Sequence, residues 1–150
     1  AASDVYKRQR LEGIMIEDVA PRQVWEALMS NPDALLCDVR TNAEWSFVGV
    51  PELSQAGKQT LLIQWQLFPS MQPNPNFLAG LSAAHAGHEA HIYFICRSGA
   101  RSMAAAQAAK AAGFKHVYNV KDGFEGPPDP RGHRGLVAGW KADGLPWKQG

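Results

Sequence analysis

The sequence has little cysteine, almost no net charge and no long apolar run, and each of these features excludes a class of protein. Two cysteines in 150 residues cannot build a disulfide framework, so we expect a reducing, cytoplasmic compartment. The 15 Lys and Arg against 14 Asp and Glu leave a net charge of +1, which argues against nucleic acid or a membrane surface as the partner. No stretch approaches the roughly 20 apolar residues of a membrane span. Any anion that this protein binds must therefore be held by a local arrangement of groups.

The first ten residues differ in character from the rest of the chain. Their sequence, AASDVYKRQR, is polar, has no hydrophobic periodicity and lacks the apolar centre of a signal peptide. We interpret residues 1–10 as a non-native or disordered segment and residues 11–150 as one domain. With 45% hydrophobic and 19% charged residues, the chain has enough apolar material for a single core.

Beyond residue 13, short apolar runs alternate with segments of helical spacing. We predict strands at residues 14–16, 34–39, 60–63, 91–95 and 116–120. We predict helices from Pro21 to before Pro32 and at residues 42–47, 77–86, 102–112 and 136–142, with a proline-rich irregular loop at 69–76 and a long loop at 123–135. The alternation predicts an α/β domain whose five-stranded, mostly parallel sheet has helices on both faces.

The ends of the predicted strands indicate where a site would lie. In open parallel sheets, ligands bind outside the carboxyl ends of the strands. Four segments follow such ends, namely residues 38–40, residues 64–65, Cys96 and residues 121–123. All four are candidates for one site.

Residues 96–102, with the sequence CRSGARS, carry the most informative pattern in the chain. Cys96 ends a buried strand, and Gly99 allows the short loop after it to turn its backbone N–H groups inward as an anion nest. The next helix adds the positive end of its dipole, which favours the nucleophilic thiolate. Arg97 and Arg101 add permanent charge in a geometry that suits oxyanions. Each feature alone is typical of a core cysteine or of surface arginines, but together they indicate a reactive cysteine.

This segment resembles the active-site loop of the rhodanese-domain sulfurtransferases. Other segments in the same order resemble further parts of that family: Asp38-Val39-Arg40 with Glu44, Gly113-Phe114 with Val117-Tyr118 and Gly123, and Gly139-Trp140 with Gly144-Leu145-Pro146. Phe124 stands where the family has a second glycine, and Val48-Gly49-Val50-Pro51 lacks the usual histidine. The resemblance covers most of residues 13–148.

The resemblance implies a five-stranded parallel α/β fold and a sulfurtransferase reaction through a persulfide on Cys96. It implies that Arg97 and Arg101 hold the sulfonate of a small anionic donor such as thiosulfate. The amides that would stabilise the persulfide belong to Ser98, Gly99, Ala100, Arg101 and Ser102. The acceptor would be a thiol or another thiophilic group, including one on a protein, and neither metal nor organic cofactor is implied.

Three alternatives to a thiosulfate sulfurtransferase remain at this point. Related phosphatases and arsenate reductases place five residues between cysteine and arginine, whereas four stand between Cys96 and Arg101, so we expect a pocket too small for phosphate. A persulfide carrier or protein-interaction module with little thiosulfate turnover is the second alternative. An inert domain used only for binding is the third, and the complete CRSGARS segment argues against it.

A few further residues have two readings. Asp38 and Arg40 either orient the active-site loop or form an ordinary ion pair at a strand end, and Trp65 either stacks over the site or fills the sheet edge. We interpret Cys37 as a core residue. His85, His88 and His91 have a spacing that would suit a metal on one helix, but Gly87 interrupts that helix, so no metal site is predicted.

Overall fold

The computed structural model describes residues 15–84 and 87–149. Residues 1–10, Ile14 and His85, which enter the predictions above, lie outside this part of the chain. Its elements are, in chain order, β1 (Glu17–Val19), α1 (Pro21–Ser30), β2 (Ala34–Asp38), α2 (Asn42–Phe47), β3 (Val50–Pro51), a 3₁₀ turn (Ser54–Ala56), β4 (Leu61–Leu62), β5 (Gln66–Leu67), β6 (Gln72–Pro73), α3 (Phe77–Ala83), β7 (His91–Ile95), α4 (Ala100–Ala111), β8 (His116–Val120) and β9 (Trp147–Lys148).

The main sheet has five strands in the order β1-β8-β7-β2-β4, and every neighbouring pair is parallel. Two short antiparallel pairs, β3 with β9 and β5 with β6, lie outside it. The predicted α/β architecture is therefore confirmed, and the main sheet is parallel throughout. This order puts β7, the strand that precedes Cys96, at the centre of the sheet.

Side chains alternate across the central strands, so each face of the sheet has its own core. On one face, Ile92 and Phe94 pack with α3 and α4, and α4 contributes only small residues, including Ala105. On the other face, Tyr93 and Ile95 pack with α1 and with the C-terminal segment. The alanine-rich sequence of α4 lets its backbone approach the sheet closely, which brings its first turn beside the end of β7.

Two predicted elements are placed differently in the structure. The first strand is β1 (Glu17–Val19), C-terminal to the predicted residues 14–16. Because β1 is an edge strand that pairs only with β8, it needs few buried side chains, and Val19 alone is buried. The predicted helix at 136–142 is wrong. Gly139 has a φ of 105°, and Trp140 donates its N–H to Gly123 O rather than to the preceding turn.

The remaining differences are smaller. Within the proline-rich residues 69–76, predicted to be irregular, β6 pairs with β5 as a short hairpin, which two-residue strands at an edge allow even with proline. Helix α3 ends at Ala83, before the predicted boundary, and α4 begins at Ala100 instead of Ser102. Ala100 and Arg101 therefore belong to the first turn of the helix and not to the loop. No helix in the described part of the chain is long and apolar enough to cross a membrane.

Candidate active site

The candidate site is built where β7 ends and α4 begins. Cys96 directly follows β7, and only three residues separate it from Ala100, the first residue of α4. Gly99 makes this short connection possible, because its φ of 121° is one that residues with a side chain rarely adopt. The result is a cysteine, 1% exposed, at the N-terminus of a 12-residue helix.

The sulfur of Cys96 has two polar neighbours. The N–H of Gly99 donates to Sγ across 3.1 Å, and the hydroxyl oxygen of Ser102 lies 3.2 Å from Sγ. The backbone N–H of Met103 is the first in α4 to find a carbonyl one turn back, that of Gly99. The three amides before it, those of residues 100–102, therefore have no acceptor within the helix. One of the five predicted cradle amides contacts Sγ directly, and the amides of residues 100–102 belong to the helix end beside it.

The two predicted arginines have different surroundings. Arg97 is exposed on the loop. Arg101 points to α2, where its guanidinium makes two hydrogen bonds to the carboxylate of Glu44, of 2.6 and 2.9 Å. The hydrogen bond to Glu44 raises the pKa of Arg101, burial opposes this, and the charge of Glu44 adds to the rise. Arg101 is thus held beside the site by a paired carboxylate.

Glu44 is positioned by its own helix. Thr41 precedes α2 and forms a capping box with Glu44, in which the Glu44 N–H donates to the Thr41 hydroxyl oxygen and the Thr41 N–H donates to the Glu44 carboxylate. The Thr41 hydroxyl also donates to that carboxylate. Burial alone would raise the pKa of Glu44. The hydrogen bonds and charge of Arg101, together with Thr41, outweigh burial and lower this pKa from 4.5 to about 2.

We expect the pair of Glu44 and Arg101 to stop stabilising the fold in acid. Because the folded pKa of Glu44 is about 2 and its ordinary value is 4.5, the ionised carboxylate stabilises the protein above pH 4.5 and this contribution disappears as the pH falls towards 2. Because the pair is partly exposed, we expect its contribution to the free energy of unfolding to be about 2 to 3 kcal/mol. We expect the free energy of unfolding, measured with urea near pH 6 and at about pH 3, to fall more between these two pH values in wild type than in Glu44→Gln. Glu89→Gln, which removes an exposed partner of Lys115, should behave like wild type, and equal losses in Glu44→Gln and wild type would contradict this prediction.

Asp38 and Arg40 form a fully buried ion pair at the end of β2. The guanidinium of Arg40 donates to the Asp38 carboxylate, at 2.7 Å for the shortest contact, and to the carbonyl of Gly49. It also lies 4.3 Å from the ring centroid of Phe124. Since the N–H of Phe124 donates to the carbonyl of Cys96, the ion pair supports the active-site loop through one aromatic ring. This contact favours the loop-orienting interpretation of Asp38 and Arg40.

The segment after β8 holds the active-site loop from the other side. The N–H of Glu125 and that of Gly126 both donate to the carbonyl of Arg97, which adds to the bond from Phe124 to Cys96. Gly123 packs so closely that a Cβ added to it would lie 2.4 Å from the carbonyl oxygen of Cys96. The first residues of the long loop predicted at 123–135 therefore hold the backbone of residues 96–97 in place; we call residues 123–126 the clamp.

The other residues with two interpretations lie in the core, at the sheet edge or on the far side of the sheet. Trp65 is partly buried and packs edge-to-face on Phe77, with ring centroids 5.1 Å apart, just after the edge strand β4, which favours the sheet-edge interpretation. Cys37 is fully buried, and burial followed by the charge of Asp38 raises the pKa of its thiol well above 9. His91 stacks on His116, at the opposite end of β7 from Cys96.

One group of residues was missed by the sequence analysis, a polar chain that starts at Ser102 and runs through the sheet. The hydroxyl of Ser102 contacts the side-chain oxygen of Asn119 on β8, and the amide nitrogen of Asn119 donates to Asp18 on β1 across 2.7 Å. Ser102 and Asn119 are buried. The signal was present in the sequence, because Asn119 interrupts an otherwise apolar and aromatic strand next to the cysteine strand.

Comparison with known proteins identifies the family of this chain. The family described as the STR4 middle domain matches residues 17–150. The chain belongs to the STR4 middle-domain family. An uncharacterised protein of Rickettsia rickettsii, the RP600 homolog, is 37% identical over 133 residues, which are 89% of this chain and 98% of that protein.

Solved structures place this STR4 middle domain among the rhodanese-like folds. The crystal structure of Rv0390 from M. tuberculosis has a TM-score of 0.80 and 47% identity, and the match covers 89% of this chain and 98% of that chain. The rhodanese-like domain of Alr3790 from Anabaena has a TM-score of 0.61 at 18% identity, covering 90% and 80% of the two chains. The resemblance to rhodanese-like domains is therefore confirmed at the level of the fold.

Proposed function

We propose that this domain is a sulfurtransferase that moves a sulfane sulfur from thiosulfate or a similar donor to a thiophilic acceptor through a persulfide on Cys96. The observation that carries the proposal is the position of the Cys96 sulfur at the N-terminus of α4, within 3.1 Å of the Gly99 N–H. Backbone donors and a helix dipole at this point stabilise negative charge on sulfur. That charge develops on Cys96 before sulfur transfer and on the outer sulfur of the persulfide after it.

The proposed reaction has two displacement steps. In the first, the Cys96 thiolate attacks the outer sulfur of thiosulfate, a bond between the two sulfurs forms, and sulfite leaves with the electron pair of the broken S–S bond. In the second, a thiolate or cyanide attacks the outer sulfur of the persulfide, and the Cys96 thiolate is released. No electrons are gained or lost overall by Cys96, so the cycle needs no redox cofactor.

The roles proposed for the other residues follow from their positions. Arg97 is exposed on the loop and is free in the described part of the chain to meet an anionic donor. Arg101 holds positive charge near the sulfur but is paired with Glu44. The amides of Ser98, Gly99, Ala100, Arg101 and Ser102 remain the proposed donors for the persulfide.

The pairing of Arg101 also favours a second candidate function, a persulfide carrier with little thiosulfate turnover. A guanidinium already bound by two hydrogen bonds to Glu44 is a weaker ligand for a sulfonate than a free one. Beside Glu44 lies a groove lined by the exposed side chains of Phe47 and Phe68, together with Met71. An acceptor protein would find apolar surface there, next to the site.

Mass spectrometry of the intact protein tests the proposal. After incubation with thiosulfate and removal of small molecules, we expect a gain of about 32 Da, the mass of one sulfur, on Cys96. Reduction with dithiothreitol should remove the added mass, since a persulfide is reducible. Continuous formation of thiocyanate from thiosulfate and cyanide would support the enzyme, whereas the adduct with little turnover would support the carrier. A protein that never gains the mass from thiosulfate or from a polysulfide would contradict both.

A further inference from the structure

The polar chain behind Cys96 contains one hydroxyl proton that three acceptors compete for. Ser102 Oγ lies 3.2 Å from Cys96 Sγ, 3.1 Å from the carbonyl oxygen of Gly99 and within hydrogen-bonding distance of the side-chain oxygen of Asn119. A serine hydroxyl has a single hydrogen and two lone pairs. Only one of these three atoms can therefore receive the Ser102 proton at a time.

The orientation of Asn119 decides which acceptor receives the proton. The Asp18 carboxylate is an acceptor only, so the side-chain nitrogen of Asn119 must face it, as the 2.7 Å contact shows. The oxygen of Asn119 must then face Ser102. Two oxygens in contact need a hydrogen between them, and Asn119 has none to offer from that atom. The Ser102 proton consequently lies towards Asn119.

This arrangement determines what Ser102 offers to the sulfur. With its proton directed to Asn119, Ser102 presents a lone pair to Cys96, which suits a thiol that donates its S–H. A thiolate has no hydrogen and would face that lone pair unfavourably. To stabilise the thiolate, Ser102 would have to turn its proton to sulfur, which would leave two buried oxygens in contact without a hydrogen.

We propose that Asp18 and Asn119 are positioning residues that orient the hydroxyl of Ser102 and thereby favour the thiol form of Cys96 over the thiolate. The polar chain of Ser102, Asn119 and Asp18 acts against the Gly99 amide and the α4 dipole, which favour the thiolate. Its consequence is a resting cysteine that reacts slowly with oxidants and alkylating agents at neutral pH. This inference deepens the proposed function, because it concerns the same nucleophile.

The decisive variant is Asp18→Asn. Asp18 is exposed and the substitution keeps its shape, but an amide can either accept from Asn119 or donate to it. Asn119 is then free to turn its nitrogen towards Ser102, and Ser102 can give its proton to the thiolate. A hydrogen bond donated to the charged sulfur should raise the ratio of thiolate to thiol by about tenfold. We therefore expect iodoacetamide to alkylate Cys96 about three to ten times faster at neutral pH, with the pH profile of alkylation shifted to lower pH.

A double-mutant cycle separates this mechanism from simple charge removal. The charged and titratable side chains on the elements around Cys96 are Arg97, Arg101 with Glu44, the pair of Asp38 and Arg40, Glu17 and Asp18 on β1, Lys110 on α4, Lys121, Asp122 and Glu125 after β8, and His91 and His116 at the opposite end of the sheet. If Asp18→Asn acted only by removing a negative charge, its effect would persist after the polar chain is broken. In a Ser102→Ala background the polar chain is interrupted, so we expect Asp18→Asn to have no effect on the rate of alkylation there.

All measurements are made on the full chain with Cys37→Ala, so that alkylation reports on Cys96 alone. Asn119→Ala provides a second background in case Ser102→Ala does not fold, and Asp18→Asn should be without effect in it as well. An unchanged alkylation profile in Asp18→Asn would overturn the inference. So would an acceleration that persists when Ser102 or Asn119 is removed. Alkylation does not require thiosulfate, so failure of the proposed sulfurtransferase reaction would leave this test intact.

Discussion

Replacing Cys96 by serine is expected to reduce transfer of sulfur from thiosulfate to cyanide by about a thousandfold or more. A serine hydroxyl remains protonated at neutral pH in the position where the thiolate is the nucleophile, and its oxygen does not form a reducible bond to sulfur. The substitution changes little else, because Cys96 is buried against Gly99 and Ser102 and serine retains a polar atom at the same place. Thiocyanate formation at saturating thiosulfate is the measurement.

The second cysteine provides the matched control. Cys37 is also fully buried and lies one strand away, but burial and the charge of Asp38 raise the pKa of its thiol well above 9. A thiol with so high a pKa is almost entirely protonated at neutral pH and is a poor nucleophile. Cys37→Ala should therefore retain most of the activity. Activity that survives in Cys96→Ser would remove Cys96 from its proposed role. Activity lost in Cys37→Ala while the fold is intact would contradict the interpretation of Cys37 as a core residue only.

The central strands could be predicted from sequence because each one carries its own burial pattern. The predicted strands at 91–95 and 116–120 coincide with β7 and β8, since aromatic and β-branched runs there are buried on both faces. The edge strand β1 has one buried side chain and leaves almost no such pattern. The prediction of a helix at 136–142 was wrong because the backbone of that segment makes hydrogen bonds to Gly123 and Phe124, which are distant in sequence and leave no local pattern.

The candidate site likewise has a part that could be predicted from sequence and a part that could not. Cys96 and its loop are contiguous in sequence, so their spacing alone indicates a strand, a turn and a helix N-terminus. The pairing of Glu44 with Arg101 joins residues 57 apart, and that of Asp18 with Asn119 joins residues 101 apart. Such pairs depend on the order of strands in the sheet, which local patterns do not specify. The unusual polarity of Asn119 within β8 hinted at the second pair, and the family resemblance had included Glu44 of the first.

Gly123→Ala is expected to destabilise the protein by about 3 kcal/mol and to abolish most of the sulfur transfer. Gly123 has a φ of 64°, and a Cβ there would lie 2.4 Å from the carbonyl oxygen of Cys96 and 2.7 Å from the carbonyl of Arg97. Both obstacles are backbone atoms of the active-site loop, so a methyl group must displace the loop itself. Urea unfolding and the thiosulfate assay measure the two effects.

Gly57→Ala separates the clash from the backbone strain. Gly57 has nearly the same φ, 68°, but nothing lies within 4 Å of a Cβ added to it. We expect this variant to lose about 1 kcal/mol, the cost of a left-handed conformation in alanine, and to keep its activity. The difference between the two variants then measures how tightly the segment after β8 holds the backbone of Cys96 and Arg97. Equal destabilisation in both, with sulfur transfer unchanged in Gly123→Ala, would show that the clamp does not position the nucleophile.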